Sequence, residues 1–315
     1  MPKPFRFIAS IPKLDQPPDQ WRNELHRIED LGFDTVAISD HFTGGWVMEP
    51  LVAMSMALAM TRRLRVLSLV LCNDYRHPVQ VHKAIATMDV LSGGRVELGL
   101  GAGWLRSEYE TAGIPFDRAG IRVDRLTEAI AVIKGLFAEV PLHFKGEHYR
   151  LDDLDGVPKP VQRPHPPLLV GGGSRRVLEL SGRTADIVGI NPALPPGADA
   201  GLALTDMTAE RVTEKVRWAR DSATAAGRDP EQLDYLVAVR SLTVTDGPAT
   251  SWVSSMAESV GDLSQLADSP SVLRGTVDEC VEALLRRREQ FGFNYIDFGF
   301  NIDAAAPIVA RLAGI

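Results

Sequence analysis

Residues 64–104, LRVLSLVLCNDYRHPVQVHKAIATMDVLSGGRVELGLGAGW, set strand, loop, helix, loop and strand in one uninterrupted run. Arg65 to Leu71 is a row of Val and Leu around one Ser, the pattern of a strand hidden from water on both faces. The run stops at Cys72-Asn73-Asp74. His77-Pro78 then predicts a helix with Pro at its first position. Val81, Ala84, Ile85, Met88 and Leu91 recur at helical spacing until Gly93-Gly94 ends the helix. In the second strand Val96, Leu98 and Leu100 alternate with Glu97, Gly99 and Gly101. One face there is bulky, and the other ends in bare backbone that leaves room for a flat group to approach. The stretch is one β/α/β crossover of a parallel sheet.

Outward from this crossover the same rhythm continues. Strands are predicted at 5–11, 34–39, 65–71, 95–99, 167–170, 186–190, 235–244 and 294–300, with helices between most of them. Asp19 is the expected cap of a helix carrying Trp21, Leu25, Ile28 and Leu31, and Thr276 with Glu279 forms a capping box ahead of Val277, Val281, Leu284 and Leu285. Eight strands alternating with helices predict an α/β protein, a (β/α)8 TIM barrel, in one domain over residues 1–315. Segments 140–166, 192–200 and 246–273 break the rhythm. They read as insertions over the C-terminal mouth, the last with helical pattern and no strand.

Composition bounds the function. A hydrophobic fraction of 45 % and a charged fraction of 24 % are those of an ordinary globular chain. The formal charge of −7 argues against nucleic acid as a partner, since phosphate binding needs a basic face. The longest apolar run, 51–60, is half a membrane span, so no membrane partner is expected. Cys72 and Cys280 lie far apart in apolar segments. They fit reduced thiols in a cytoplasmic protein rather than a disulfide scaffold.

Ser39-Asp40-His41 follows the second strand, where barrel enzymes carry catalytic groups. Histidine as a residue type can exchange a proton near neutral pH, and an adjacent or facing carboxylate can hold its tautomer, so His41 either moves a proton or simply ties a loop. His77 and His82, five apart, do not share a helical face, and no Cys, His and carboxylate cluster supplies a metal shell. Gly171-Gly172-Gly173-Ser174 joins an apolar strand to a helix bearing Val177, Leu178 and Leu180. It is either an anion cradle at a helix N-terminus or a turn that needs glycine. Trp46, Trp104 and Glu108, with Tyr109, stand after strands and either wall a substrate pocket or pack a loop against the rim.

Taken together, LGFDTVAISDHF, VLCNDYRHPV, LSGGRVELGLGAGW, PPLLVGGGS and RTADIVGIN resemble the luciferase-like monooxygenase superfamily, and within it the oxidoreductases that use the deazaflavin coenzyme F420. The resemblance implies a (β/α)8 barrel, a homodimer, and hydride transfer between the deazaflavin and a small organic substrate. A reduced-FMN monooxygenase of the same superfamily is the alternative, and a non-catalytic flavin-binding barrel is one of another class. It places Asp40 and His41 beside the redox ring, with His41 handling the proton. It puts Cys72 and Asn73 at a bulge with a non-prolyl cis peptide backing the ring, Gly99 and Gly101 in the space the ring needs, and Gly171, Gly172, Gly173 and Ser174 on the coenzyme phosphate, with Asn191 also at the coenzyme. The lysines that some members add to the phosphate site have no match after the sixth strand. Arg175, Arg176 and Arg240 are the candidate substitutes.

Overall fold

The computed structural model describes residues 2–43, 48–193, 205–247 and 268–315. Its main sheet has nine strands: β1 (Arg6–Ser10), β2 (Thr35–Ile38), β3 (Arg65–Ser68), β4 (Leu71–Cys72), β5 (Val96–Gly101), β8 (Leu168–Gly172), β9 (Ile187–Ile190), β10 (Asp234–Ala238) and β13 (Phe293–Asp297). They lie in the order β3-β2-β1-β13-β10-β9-β8-β5-β4, with β3 also bonded to β5, and every pair whose register is recorded runs parallel. Because β3 and β4 are two pieces of one predicted strand, the fold is the expected (β/α)8 barrel. Two antiparallel or parallel pairs stand apart from it: β6 (Leu142–Lys145) with β7 (Arg150–Leu154), and β11 (Ser241–Val244) with β12 (Val272–Gly275).

The chain divides into two compact units, 1–37 with 171–315, and 38–170. The second unit carries helices α2 (Pro50–Met60), α3 (Pro78–Ser92), α4 (Arg106–Ala112) and α5 (Ala119–Phe137). His77 caps α3 by accepting from Val79 N, Pro78 takes the first position, and Gly93 ends the helix at φ 67°, as read from the sequence. The β6–β7 hairpin inside segment 140–166 lies along α5, where Leu142, Phe144 and Leu151 pack on Val132 and Leu136. Glu128 of α5 fixes the hairpin turn by accepting from Glu147, His148 and Tyr149 amides.

The first unit carries α1 (Pro18–Asp30), α6 (Arg175–Thr184), α7 (Ala209–Ala225), α8 (Val277–Phe291) and α9 (Ile302–Leu312). The capping box of Thr276 and Glu279 starts α8 as expected. No helix among the described residues is long and apolar enough to cross a membrane.

Five expectations are corrected. Strand 65–71 breaks after Ser68, and the non-prolyl cis peptide lies at Leu69–Val70 and not at Cys72–Asn73; Cys72 instead pairs with Gly101 and leads into a 3-10 turn, Asn73–Tyr75. Strand 235–244 splits into β10 and β11, and segment 246–273 does hold strand residues, because β12 starts at Val272 and pairs with β11. Helix α1 begins one residue before Asp19, which sits in its first turn, while Pro17 occupies the cap position. Gly99 leaves no room for a ring. A Cβ there would lie 2.0 Å from Ser68 O, and the Ser68 hydroxyl bonds both the Gly99 amide and carbonyl at 2.9 Å, so the glycine admits the neighbouring strand end.

Candidate functional site

In the second unit the loop after β2 is held from below by one carboxylate. Glu108, on the short helix α4, is fully buried and accepts from five donors: His41 Nδ1 at 2.9 Å, Phe42 N and Thr43 N at 3.0 Å, Thr43 Oγ1 at 2.9 Å and Tyr75 Oη at 3.2 Å. Burial alone would lift its pKa, but the His41 and Thr43 bonds outweigh that and bring it below the usual carboxylate value. An ionised carboxylate only accepts, so Nδ1 of His41 carries the hydrogen and the neutral ring keeps its lone pair on Nε2. Trp104 meets the imidazole edge-on, centroids 6.1 Å apart, and is half exposed.

Asp40, next in sequence to His41, has a different task. It is buried, takes both Arg76 nitrogens at 2.6 and 3.1 Å, and accepts the Cys72 amide at 3.0 Å. Arg76 in turn reaches Glu49 at 2.7 Å. The bond ties the β2 loop to the end of β4, while orientation of His41 falls to Glu108. Cys72 and Asn73 are both buried at that end. The Cys72 thiol meets Tyr109 Oη at 3.0 Å, and burial pushes it up to about 11, so it is an inert thiol at neutral pH. Tyr109 Oη donates to Asp74 at 3.1 Å, and Asp74 is paired with Arg125 at 2.9 Å. Asn73 Nδ2 approaches Tyr149 Oη at 3.4 Å. Asp74, Tyr75, Arg76 and Arg125 were missed by sequence reasoning. The signal for the first three is the polar, charged tract DYR at 74–76 inside an otherwise apolar crossover, and Arg125, 51 residues from Asp74, has none.

In the first unit, Gly171, Gly172 and Gly173 run from β8 into α6, and none of them has positive φ. Close approach explains two of them. A Cβ on Gly173 would lie 2.2 to 2.4 Å from the backbone of residues 191–193, and one on Gly172 2.5 Å from Val177. Ser174 holds the cap position of α6 exposed and with no side-chain cap bond. A helix N-terminus whose cap hydroxyl is not spent on its own first turn has the donor chemistry that fits a phosphate. Asn191 directly follows β9, bonded through its amide to Gly172 O and through its carbonyl to Lys215 Nζ at 2.8 Å. Arg175 is spent on Glu179, while Arg240 reaches Asn191 Oδ1 at 3.3 Å. Gly101 is buried opposite Cys72, and Trp46 lies outside the described residues.

Against known proteins, the family profile described as luciferase-like monooxygenase matches residues 7–294. The chain belongs to that family. Among curated relatives of this luciferase-like chain, an FMNH2-dependent dimethylsulfone monooxygenase of Pseudomonas putida is 32 % identical over 204 residues, covering 59 % of this chain and 56 % of that protein. An F420-dependent glucose-6-phosphate dehydrogenase of Amycolatopsis mediterranei is 33 % identical over 166 residues, covering 51 % and 49 %. The chain thus spans about half the length of the curated relatives it matches. Two solved structures share its fold. An F420-dependent secondary alcohol dehydrogenase has a TM-score of 0.77 at 18 % identity, covering 98 % of this chain and 99 % of its own. The coenzyme F420-dependent tetrahydromethanopterin reductase of Methanopyrus kandleri has a TM-score of 0.76 at 17 % identity, covering 98 % and 97 %. The family supports flavin- or deazaflavin-dependent oxidoreduction.

Proposed function

We propose that this luciferase-like protein is a coenzyme F420-dependent oxidoreductase acting on a small organic substrate in the cytoplasm. The observation that carries the reading is the His41–Glu108 pair at the end of β2, a histidine whose tautomer is set by a buried, ionised carboxylate. When bound, the deazaflavin supplies the hydride chemistry, and the protein supplies position and proton handling. His41 would take the proton of a substrate hydroxyl at Nε2 in oxidation, or deliver it from Nε2 to the carbonyl oxygen in reduction, and Glu108 stabilises the charged ring in either direction. Trp104 stands beside the imidazole as one wall of the substrate pocket. Ser174 and the first-turn amides of α6, with Gly171, Gly172 and Gly173 ahead of them, would hold the coenzyme phosphate. Asn73, Cys72 and Gly101 would border the ring, and Asn191 belongs to the same reading.

The F420-dependent glucose-6-phosphate dehydrogenases among the relatives support the deazaflavin. The dimethylsulfone monooxygenase match favours a second reading, an FMNH2-dependent monooxygenase. Fluorescence titration of the purified protein with F420 and with FMN separates them. Tight F420 binding with weak FMN binding is expected, and the reverse would overturn the assignment. A homodimer is part of the proposal, and light scattering on a sizing column reads it as twice the chain mass.

A further inference from the structure

At the C-terminal ends of β10 and β13 the first unit holds a guanidinium that its own chain leaves under-bonded. The Arg240 amide donates to Ser271 O at 2.8 Å, which fixes the backbone. The side chain is less well served. Nη2 reaches Asn191 Oδ1 at a long 3.3 Å, and Nε is sealed from solvent with no partner among the described residues. Ser271 Oγ, on the residue that takes the Arg240 amide, is likewise buried and unpartnered. Native interiors rarely leave such groups unpaired, because each costs its full desolvation.

The nearby charges do not answer it. Lys215, fully buried, is committed to Asp206 at 2.5 Å and to the Asn191 carbonyl, so it fixes Asn191 in place. Asp297, the last residue of β13, accepts the Gly299 amide at 2.8 Å, and among the described residues it forms no ion pair with Arg240. Asp297 is recessed but keeps an accessible edge. Burial pushes its carboxyl up to about 6, with the Gly299 amide and the Arg240 charge pulling the other way. Burial also lowers the Arg240 pKa, the sign of a cation short of anionic partners.

Nε and Nη2 form one edge of the guanidinium fork, the edge that takes a carboxylate or phosphate two N–H groups at a time. We propose that Arg240, braced by Asn191, binds the anionic group of a small organic molecule, a carboxylate or a phosphate ester, and that Asp297 meets a hydroxyl on the same molecule. That this molecule is the substrate rests on the oxidoreductase reading; the anion site itself does not.

Calorimetric titration of the coenzyme-free protein with acetate, glycolate and inorganic phosphate tests it. The wild-type protein is expected to bind glycolate more tightly than acetate, and phosphate at the same saturable site. Arg240→Gln should weaken each anion at least tenfold, and Arg240→Lys, which keeps the charge without the fork, should recover only part of that loss. Asp297→Asn should leave acetate within twofold and erase the preference for glycolate. F420 and FMN titrations on the same variants separate this site from the coenzyme phosphate, for which the sequence also made Arg240 a candidate: binding within twofold of wild type is expected. Absence of anion binding, or binding unchanged in Arg240→Gln, overturns the proposal. Coenzyme binding lost together with anion binding in Arg240→Gln also overturns it, by assigning Arg240 to the coenzyme. A protein that binds these anions but neither coenzyme keeps the anion site and removes the oxidoreductase reading.

Discussion

The strand ends of the two units are built in opposite ways. In the second unit every polar group around His41 with a recorded bond is answered: Glu108 by five donors, Asp40 by both Arg76 nitrogens and the Cys72 amide, Tyr109 by Asp74 and Cys72. In the first unit the Arg240 Nε and Ser271 Oγ have no partner among the described residues, and the Ser174 hydroxyl makes no cap bond to α6. A saturated network holds one side chain in one tautomer and one place. An unsaturated one is completed by what it binds. In the proposed function, the saturated region is the one assigned to proton transfer and the unsaturated region the one assigned to ligand groups.

The largest expected effect is on the saturated side. His41→Ala should lower coenzyme-linked turnover by about 10² to 10⁴, the range for a lost general acid or base, with the melting temperature close to wild type; turnover within threefold of wild type would remove His41 from the chemistry. Glu108→Gln should lower kcat by about 10² and leave KM little changed, because it frees the tautomer without touching the substrate. A KM effect alone would make Glu108 a binding residue instead.

Asp40→Asn breaks a buried ion pair and should cost about 3 to 5 kcal/mol in chemical denaturation. A loss under 1 kcal/mol would mean that the strand-end clamp is held elsewhere.

His82 lies on α3 against Phe137, 2 % exposed, with Nε2 unpartnered, and burial lowers its pKa to about 4. Its folded pKa is below the unfolded value of about 6.5. Its contribution to stability is therefore present above pH about 6.5 and lost as pH falls toward 4, at a slope of up to about 1.4 kcal/mol per pH unit. His82→Phe should flatten that part of the acid limb in denaturant melts between pH 7 and 4, and an unchanged slope would contradict the burial account.

The smallest effect belongs to the open side. Arg240→Leu should change unfolding stability by no more than about 1 kcal/mol, since an under-bonded buried guanidinium gives back in desolvation what it holds in bonds. A loss like that of Asp40→Asn would show that the two regions are built alike.

The barrel was legible because its signals are local. Apolar runs such as Leu168–Val170, the Pro78 start and Gly93 end of α3, and the Thr276–Glu279 box are each decided within a few residues. His41 was legible from its place after a strand. Its partner was not, because Glu108 lies 67 residues away and only the fold brings the two together, whereas Asp40, adjacent in sequence, turns to Arg76. The bulge was misplaced by three residues for a similar reason. Val70, Leu71 and Cys72 read as one apolar run with the residues before them, and the break is enforced by Ser68 closing on Gly99 of the next strand. Gly99 looked like room for a flat group, and that space is filled by the backbone of the neighbouring strand.

The account stands most directly on the state of one ring. In ¹⁵N-resolved NMR of histidine-labelled protein, with His41 assigned from the His41→Ala spectrum, neutral His41 is predicted to carry its proton on Nδ1 at pH 8 and to lose that preference in Glu108→Gln. A neutral His41 protonated on Nε2, or a tautomer indifferent to Glu108→Gln, would contradict it.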